Sequence, residues 1–231
     1  MTLETVKVPE AFRPLFEEAE GYVRGYFDSL AMDPKQGTIT IGGERYVLVR
    51  AASLSVNILE QIRDMYPGLN QAEAWDAAAR VLFDLAHTIG RNDAEAFHRA
   101  TGVTDPIAKL STGPVHFAHT GWAFVDILPE SKPSPDDDYY LIYDHPHSFE
   151  ADSWVAARGR TDHCVCFMNA GYSAGWCQQS FGVGLRTREI LCRARGDDYC
   201  RFIMAPPGRL DERIRAYSRA HPEEELAAIT P

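Results

Sequence analysis

No apolar run in this 231-residue chain approaches the ~18 consecutive residues of a membrane-spanning helix. The opening MTLETVKVPE has neither a basic n-region nor an apolar h-region, so a cytoplasmic protein with no membrane role is expected. Clustered Lys and Arg are also missing. Their 23 residues against 33 Asp and Glu give a net charge of −10, which argues against a surface built to neutralise phosphates and so against direct nucleic-acid binding. The sequence has no GxxxxGKS/T loop, no GxSxG elbow and no HExxH helix, and no catalytic residue is nominated. Repeats and low-complexity domains are lacking too. Cysteine is scarce, with five residues, an odd number, all between 164 and 200. Gathered at one end and not spread as a disulfide framework, they fit a reducing compartment.

What is present starts with those cysteines. Glu189-x2-Cys192-x7-Cys200, with Cys166 upstream, combines soft thiolates with one carboxylate, a set that suits tetrahedral zinc better than calcium or magnesium. Residues 185–195 and 199–205 read as two β-runs around Gly196-Asp197-Asp198, a hairpin turn that brings Cys192 and Cys200 together. Glu189 and Cys192 are three apart. On a regular strand they face opposite ways, so they share an ion only through a bend, a bulge or a strand end. Cys166 comes from the start of a helix over about 166–181, whose Ala170, Gly171, Ala174 and Gly175 form a smooth stripe for close contact with a sheet. The alternative is a buried thiol pair or a hairpin disulfide at Cys192 and Cys200. Cys164 and Cys177 read as packing residues, with Cys164 a competitor of Cys166 for the metal. Four protein ligands make a closed, structural site, since catalytic zinc keeps a position for water.

With 45% hydrophobic residues the chain is long enough for one large core. Residues 9–32 have helical periodicity (Phe12, Leu15, Phe16, Ala19, Val23, Tyr26, Phe27, Leu30), with a face that covers its own domain or forms a dimer contact. A hairpin is expected over 37–50 around Gly42-Gly43, then a helix at 51–65. Asn70 caps a long helix broken near Gly90 and continuing to Ala100. A short helix over 105–111 and strands at 115–128 and 138–144 follow, with an acidic, proline-rich loop between the strands. A helix begins at Ser148, where Glu150 sits in the first turn in a structural role. A last helix over 209–220 carries Leu210, Ile214 and Tyr217. This order predicts an α+β domain in which helices cover one antiparallel sheet, divided as an N-terminal helical segment (1–36), a sensor domain (37–206) and a C-terminal helix and tail (207–231).

Cys166, GYSAGW at 171–176, REILC at 188–192 and GDDYCR ending at Arg201 resemble the 4-vinyl-reductase domain, in the version that forms the sensor of phenol- and toluene-responsive bacterial transcription activators. Softer matches are the 37–62 segment, GPVHF at 113–117 and HSFEA at 147–151, so that the resemblance covers roughly 37–206. It implies a structural zinc on Cys166, Glu189, Cys192 and Cys200. It also implies a cavity between helices and sheet that holds a small aromatic molecule, and a homodimer made through the N-terminal segment. In that family a histidine on the strand after a GPxxH-like motif and a tryptophan three residues before SFE bind the aromatic hydroxyl. The matching positions are His116, which agrees, and His145, which departs by putting a ring nitrogen where an indole donates. Two histidines beside one apolar cavity would take a hydroxyl, a carboxylate, or a metal or haem. Tyr143 and Trp176 are the expected aromatic walls.

The functional expectation is a zinc-stabilised sensor that binds an apolar, aromatic effector and passes its state through helix 209–220 to a regulatory protein or to a downstream domain outside this chain. Its rivals are a carrier or accessory protein of tetrapyrrole metabolism and, with little support from motifs, an enzyme.

Overall fold

A computed structural model describes residues 3–227 of the chain. The first elements are strand β1 (Val6–Lys7), helix α1 (Arg13–Phe27) and a three-stranded meander of β2 (Ala31–Asp33), β3 (Thr38–Ile41) and β4 (Glu44–Tyr46). The helix expected as far as residue 32 stops at Phe27. Ser29 explains the exit: its hydroxyl donates to the Tyr26 carbonyl and accepts from the Gly42 N–H at 2.7 Å. Residues 31–33 then pair with β3. Gly42 and Gly43 turn the hairpin at φ 59° and 84°, left-handed values that glycine adopts without steric cost. Pairing ends at Tyr46, and the expected strand residues Val47, Leu48 and Val49 are 74%, 80% and 55% exposed.

A π-turn at Ser53–Asn57 leads into α2 (Ile58–Asp64), and then comes α3 (Gln71–Thr101). Asn70 caps α3 in a reciprocal box with Glu73. The break expected at Gly90 is absent. Gly90 marks a close approach instead, because a Cβ there would lie 2.2 Å from the Tyr172 carbonyl oxygen.

Helix α4 (Pro106–His119) is capped by Asp105, which accepts from the Ala108 N–H at 2.8 Å. It runs through the segment expected to be a strand from residue 115, so His116 is helical and only β5 (Ala123–Ile127) is extended. Pro114, which reads as a helix breaker, is overridden by packing. Gly113 lies flat on the Trp176 ring, and the Lys109 carbonyl accepts from Thr112 Oγ1 and Trp176 Nε1. The remaining elements are β6 (Leu141–Ser148), α5 (Phe149–Arg158), α6 (Phe167–Phe181), β7 (Arg186–Leu191), β8 (Cys200–Ala205) and α7 (Pro207–Ala220). Residues 228–231 of the expected tail lie outside the described residues.

The main sheet has the order β1-β5-β6-β8-β7, parallel between β1 and β5 and antiparallel elsewhere. The fold is therefore α+β, as expected. Its sheet is mixed, however, and the N-terminal hairpin forms a second sheet of its own. Alternation along the strands sends Leu141, Tyr143, Phe202 and Met204 to the large core shared with α1, α3, α4 and α6, while Ile142, Ile190 and Ile203 pack on Leu210, Ile214 and Tyr217 of α7. Arg201, on the α7 side, grips Asp144 with two 2.7 Å bonds and reaches Tyr217 and Glu224. The apolar face of α1 packs inside this domain, with Phe16, Ala19 and Val23 buried. Glu20 of α1 also accepts the Glu4 and Thr5 N–H groups ahead of β1.

The glycine stripe of α6 faces α3 and not the sheet. A Cβ at Gly171 would sit 2.2 Å from the Phe83 carbonyl oxygen, and one at Gly175 would sit 2.1 Å from that of His87. The two backbones touch, and neither helix has room to move aside within a packed core. Gly175→Ala is accordingly expected to lower stability by about 1–3 kcal/mol through overpacking, read as a lower urea midpoint at unchanged m-value.

Candidate metal centre and internal cavity

The first cluster forms where the N-terminus of α6 meets the β7–β8 hairpin. Cys166 is the N-cap residue of α6, Cys192 follows the end of β7, and Cys200 opens β8. Register shifts between Glu189 and Leu191. That bulge, together with the strand end just after it, turns Glu189 and Cys192 to the same side, as the three-residue spacing required. One ligand atom from each of Cys166, Glu189, Cys192 and Cys200 lies within 4.8 Å of all the others, and all four residues are buried.

The donor set fits a tetrahedral ion. Sulfurs each about 2.3 Å from zinc stand about 3.8 Å apart, and Cys166 Sγ and Cys200 Sγ are 3.6 Å apart. Glu189 Oε2 accepts the Cys166 N–H at 2.9 Å, which orients the carboxylate, while its buried Oε1 has no partner. Around them, Ser148 Oγ is 3.2 Å from Cys166 Sγ and the Arg193 N–H points at Cys200 Sγ. Such outer contacts hold ligands in place. Burial pushes the Cys166 and Cys200 thiols and the Glu189 carboxyl up, whereas the sulfhydryls of Cys164, Cys166 and Cys200 hold the Cys192 thiol low. Negative charge is thereby concentrated on one sulfur among four converging donors. Cys164 stands outside this set, with its thiol toward the Glu189 carbonyl at 3.6 Å. Cys177 is buried in the core facing the cavity. Cysteines among the described residues are all free, which removes the disulfide alternative.

Glu150, read as a first-turn residue of α5, does more. Its buried carboxylate accepts the Met168 and Asn169 N–H groups at 2.9 and 2.8 Å, capping α6 from a neighbouring helix. Burial pushes its carboxyl up to about 8.

The second feature is a cavity of about 40 Å³ between α4, α6 and the sheet. Tyr143 and Trp176 line it, together with Pro114, Phe117, Ile127 and Tyr172. The Tyr143 hydroxyl is fully buried without a hydrogen-bond partner, and Ser173 and Thr187 stand near it. His145 does not line the space. It lies directly behind the lining, with its ring centroid 5.2 Å from Tyr143 and 5.6 Å from Phe117, and both of its nitrogens are buried and unpaired.

His116 faces another way. Adjacent helix positions point about 100° apart, so Phe117 takes the cavity while His116 packs among Phe27, Phe97 and Trp176 at centroid distances of 5.2, 5.6 and 4.9 Å. Its Nδ1 is 3.2 Å from the Tyr172 hydroxyl, which donates to Asp93 at 2.9 Å. Sequence reasoning missed this buried Asp93–Tyr172–His116 chain, since Asp93 looks like any polar position of a long helix. It also missed the cavity walls Leu110, Val125, Ile127 and Leu141, whose only signal is apolarity. His119 and His147 are exposed and border a shallow depression with Trp122 and Asp152.

The family model of the 4-vinyl-reductase domain matches residues 147–206, the segment running from the end of β6 through β8. The chain is 22% identical over 230 residues to the phenol regulator MopR of Acinetobacter guillouiae, covering 98% of this chain and 40% of that protein. It therefore spans well under half the length of the curated relative it matches. Among solved structures, the phenol-responsive sensory domain of the transcription activator PoxR with phenol superposes with a TM-score of 0.70 at 20% identity, over 90% of this chain and 98% of that one. At that identity the likeness is one of fold. The 4-vinyl-reductase resemblance seen in the cysteine motif holds, and the likeness to phenol regulators extends along almost the whole chain. Among the described residues no helix is long and apolar enough to cross a membrane.

Burial pushes the His116 and His145 imidazoles down to about 3, so the folded chain binds fewer protons there than the unfolded chain does. The stability from keeping them neutral is present above the unfolded value of about 6.5 and drains away as pH falls toward 3. Denaturant titrations between pH 6 and 4 should show a slope shallower by about one proton, ~1.4 kcal/mol per pH unit, in His116→Phe than in wild type.

Proposed function

We propose that the chain is a sensor domain for small aromatic molecules, stabilised by a structural zinc and acting by binding without catalysis. The observation that carries this reading is the buried cavity walled by Tyr143, Trp176 and Phe117, with one unpaired hydroxyl at its edge, in a fold shared with a phenol-responsive sensory domain. Apolar walls with a few fixed polar groups are what binds and orients a small ring. Tyr143 orients the ring's polar substituent, Trp176 stacks against its face, and His145 sits within one side chain of the same space. His116 acts from behind Trp176 and Tyr172. The tetrapyrrole alternative is disfavoured by scale, because a macrocycle far exceeds a 40 Å³ space.

Zinc would be held by Cys166, Glu189, Cys192 and Cys200 and would supply cohesion, tying α6 to the hairpin. In this reading the effector's differential affinity for two packings of the cavity shifts their populations, and the Arg201 network on the reverse of the sheet carries the difference to α7. The output belongs to a regulatory partner or to a domain beyond this chain, in a cytoplasmic homodimer to which the exposed Val47–Val49 segment contributes.

Elemental analysis of the purified protein should give one zinc per chain, and Cys192→Ser should lose it together with several kcal/mol of stability. A metal-free, folded chain whose Cys166, Cys192 and Cys200 all alkylate freely would remove the zinc from this account.

Calorimetric titration with phenol should show saturable one-to-one binding that Trp176→Ala weakens by tenfold or more. Absence of binding by phenol, toluene and related single-ring compounds would end the aromatic-sensor reading.

A further inference from the structure

The internal cavity is small for the role assigned to it. At roughly 10–15 Å³ of such volume for each water, about 40 Å³ is room for only a few water-sized positions. Against it lies a much larger groove of about 320 Å³, walled by Phe12, Leu15 and Phe16 at the start of α1, by Ile107 on α4, and by Pro133. Leu110, Ile127 and Leu141 belong to both spaces. These three aliphatic side chains make no hydrogen bonds, so a change of rotamer costs no polar contact. Across the rest of the groove the polar demand is already met, because the Ser131 hydroxyl donates to the Ile142 carbonyl at 2.9 Å and accepts from its N–H at 3.1 Å. Lys132 stands at the rim, only partly covered. Water gains little in such a trough, whereas hydrocarbon gains the full benefit of burial.

We propose that the effector is a phenol-type ring bearing a hydrocarbon chain. The ring occupies the inner chamber beside Tyr143, and the chain passes between Leu110, Ile127 and Leu141 into the groove on α1. The proposal rests on the aromatic-sensor reading and adds the substituent. It gives α1 a direct part in recognition, since Leu15 and Phe16 then touch the same molecule as Trp176.

The test is calorimetric titration of the full chain with phenol, 4-ethylphenol, 4-butylphenol and 4-hexylphenol, each below its own aggregation concentration. Affinity is expected to rise about fourfold for each added methylene until the chain reaches the rim. Leu15→Asn, with its fold checked by circular dichroism, should lower the gain per methylene. Binding of phenol with a flat or falling series overturns the two-chamber proposal and leaves aromatic sensing standing. A Leu15→Asn slope equal to wild type overturns it as well, because the chain then lies elsewhere. If no member of the series binds, both readings fall.

Discussion

Backbone contact between α3 and α6 is the constraint on which the rest of the molecule depends. Carbonyl groups of Phe83 and His87 press on Gly171 and Gly175, and the Tyr172 carbonyl presses on Gly90, so α6 has one position and one rotation. Everything of functional interest follows from that placement. Its first turn delivers Cys166 to the hairpin under the cap supplied by Glu150, and its next turns aim Tyr172, Ser173 and Trp176 at α4 and the sheet. A helix free to slide would blur the metal cluster and the cavity together.

The sheet joins the same two places by a shorter route. Cys200 and Phe202 are neighbours on one face of β8. In register across from them on β6 stand His145 and Tyr143. Phe202 stacks on Tyr143 at 5.2 Å and touches His145 at 4.5 Å, so an aromatic wall of the cavity and a candidate metal ligand share two rungs of one ladder. Displacing Tyr143 presses on Phe202, and the strand that carries Phe202 also carries Arg201 on the opposite face, bonded to Asp144 and Tyr217. Cavity, metal cluster and α7 thus meet at β8.

Local chemistry made much of this legible from the sequence. The Asn70 box, the Ser148 cap, the Gly42-Gly43 turn and the four ligand positions each announce themselves through residue types that have few other uses. Where long-range packing decides, the sequence misled. Pro114 and the apolar run after it read as a strand, because nothing local reveals that Trp176 bonds to the Lys109 carbonyl and lies over Gly113. That misreading placed His116 on a strand and hid Phe117 from the cavity. Gly90 looked like a break because a glycine needed for close approach and one that ends a helix are identical on paper. The unpaired nitrogens of His145 and the Asp93–Tyr172 bond depend on residues far apart in the chain, and no spacing rule reaches them.

The bulge in β7 has a consequence for the behaviour of many molecules together. β7 is the outermost strand beside β8, and it holds its place while carrying Glu189 and leading directly to Cys192. If that kink relaxes, the two donors turn to opposite faces and the strand loses its tie to α6. Peeling it back turns β8, an interior strand whose every residue is buried, into a raw border of unpaired N–H and C=O groups, a template on which another chain adds side by side. The irregularity that gathers the ligands is in this sense also a guard against self-association.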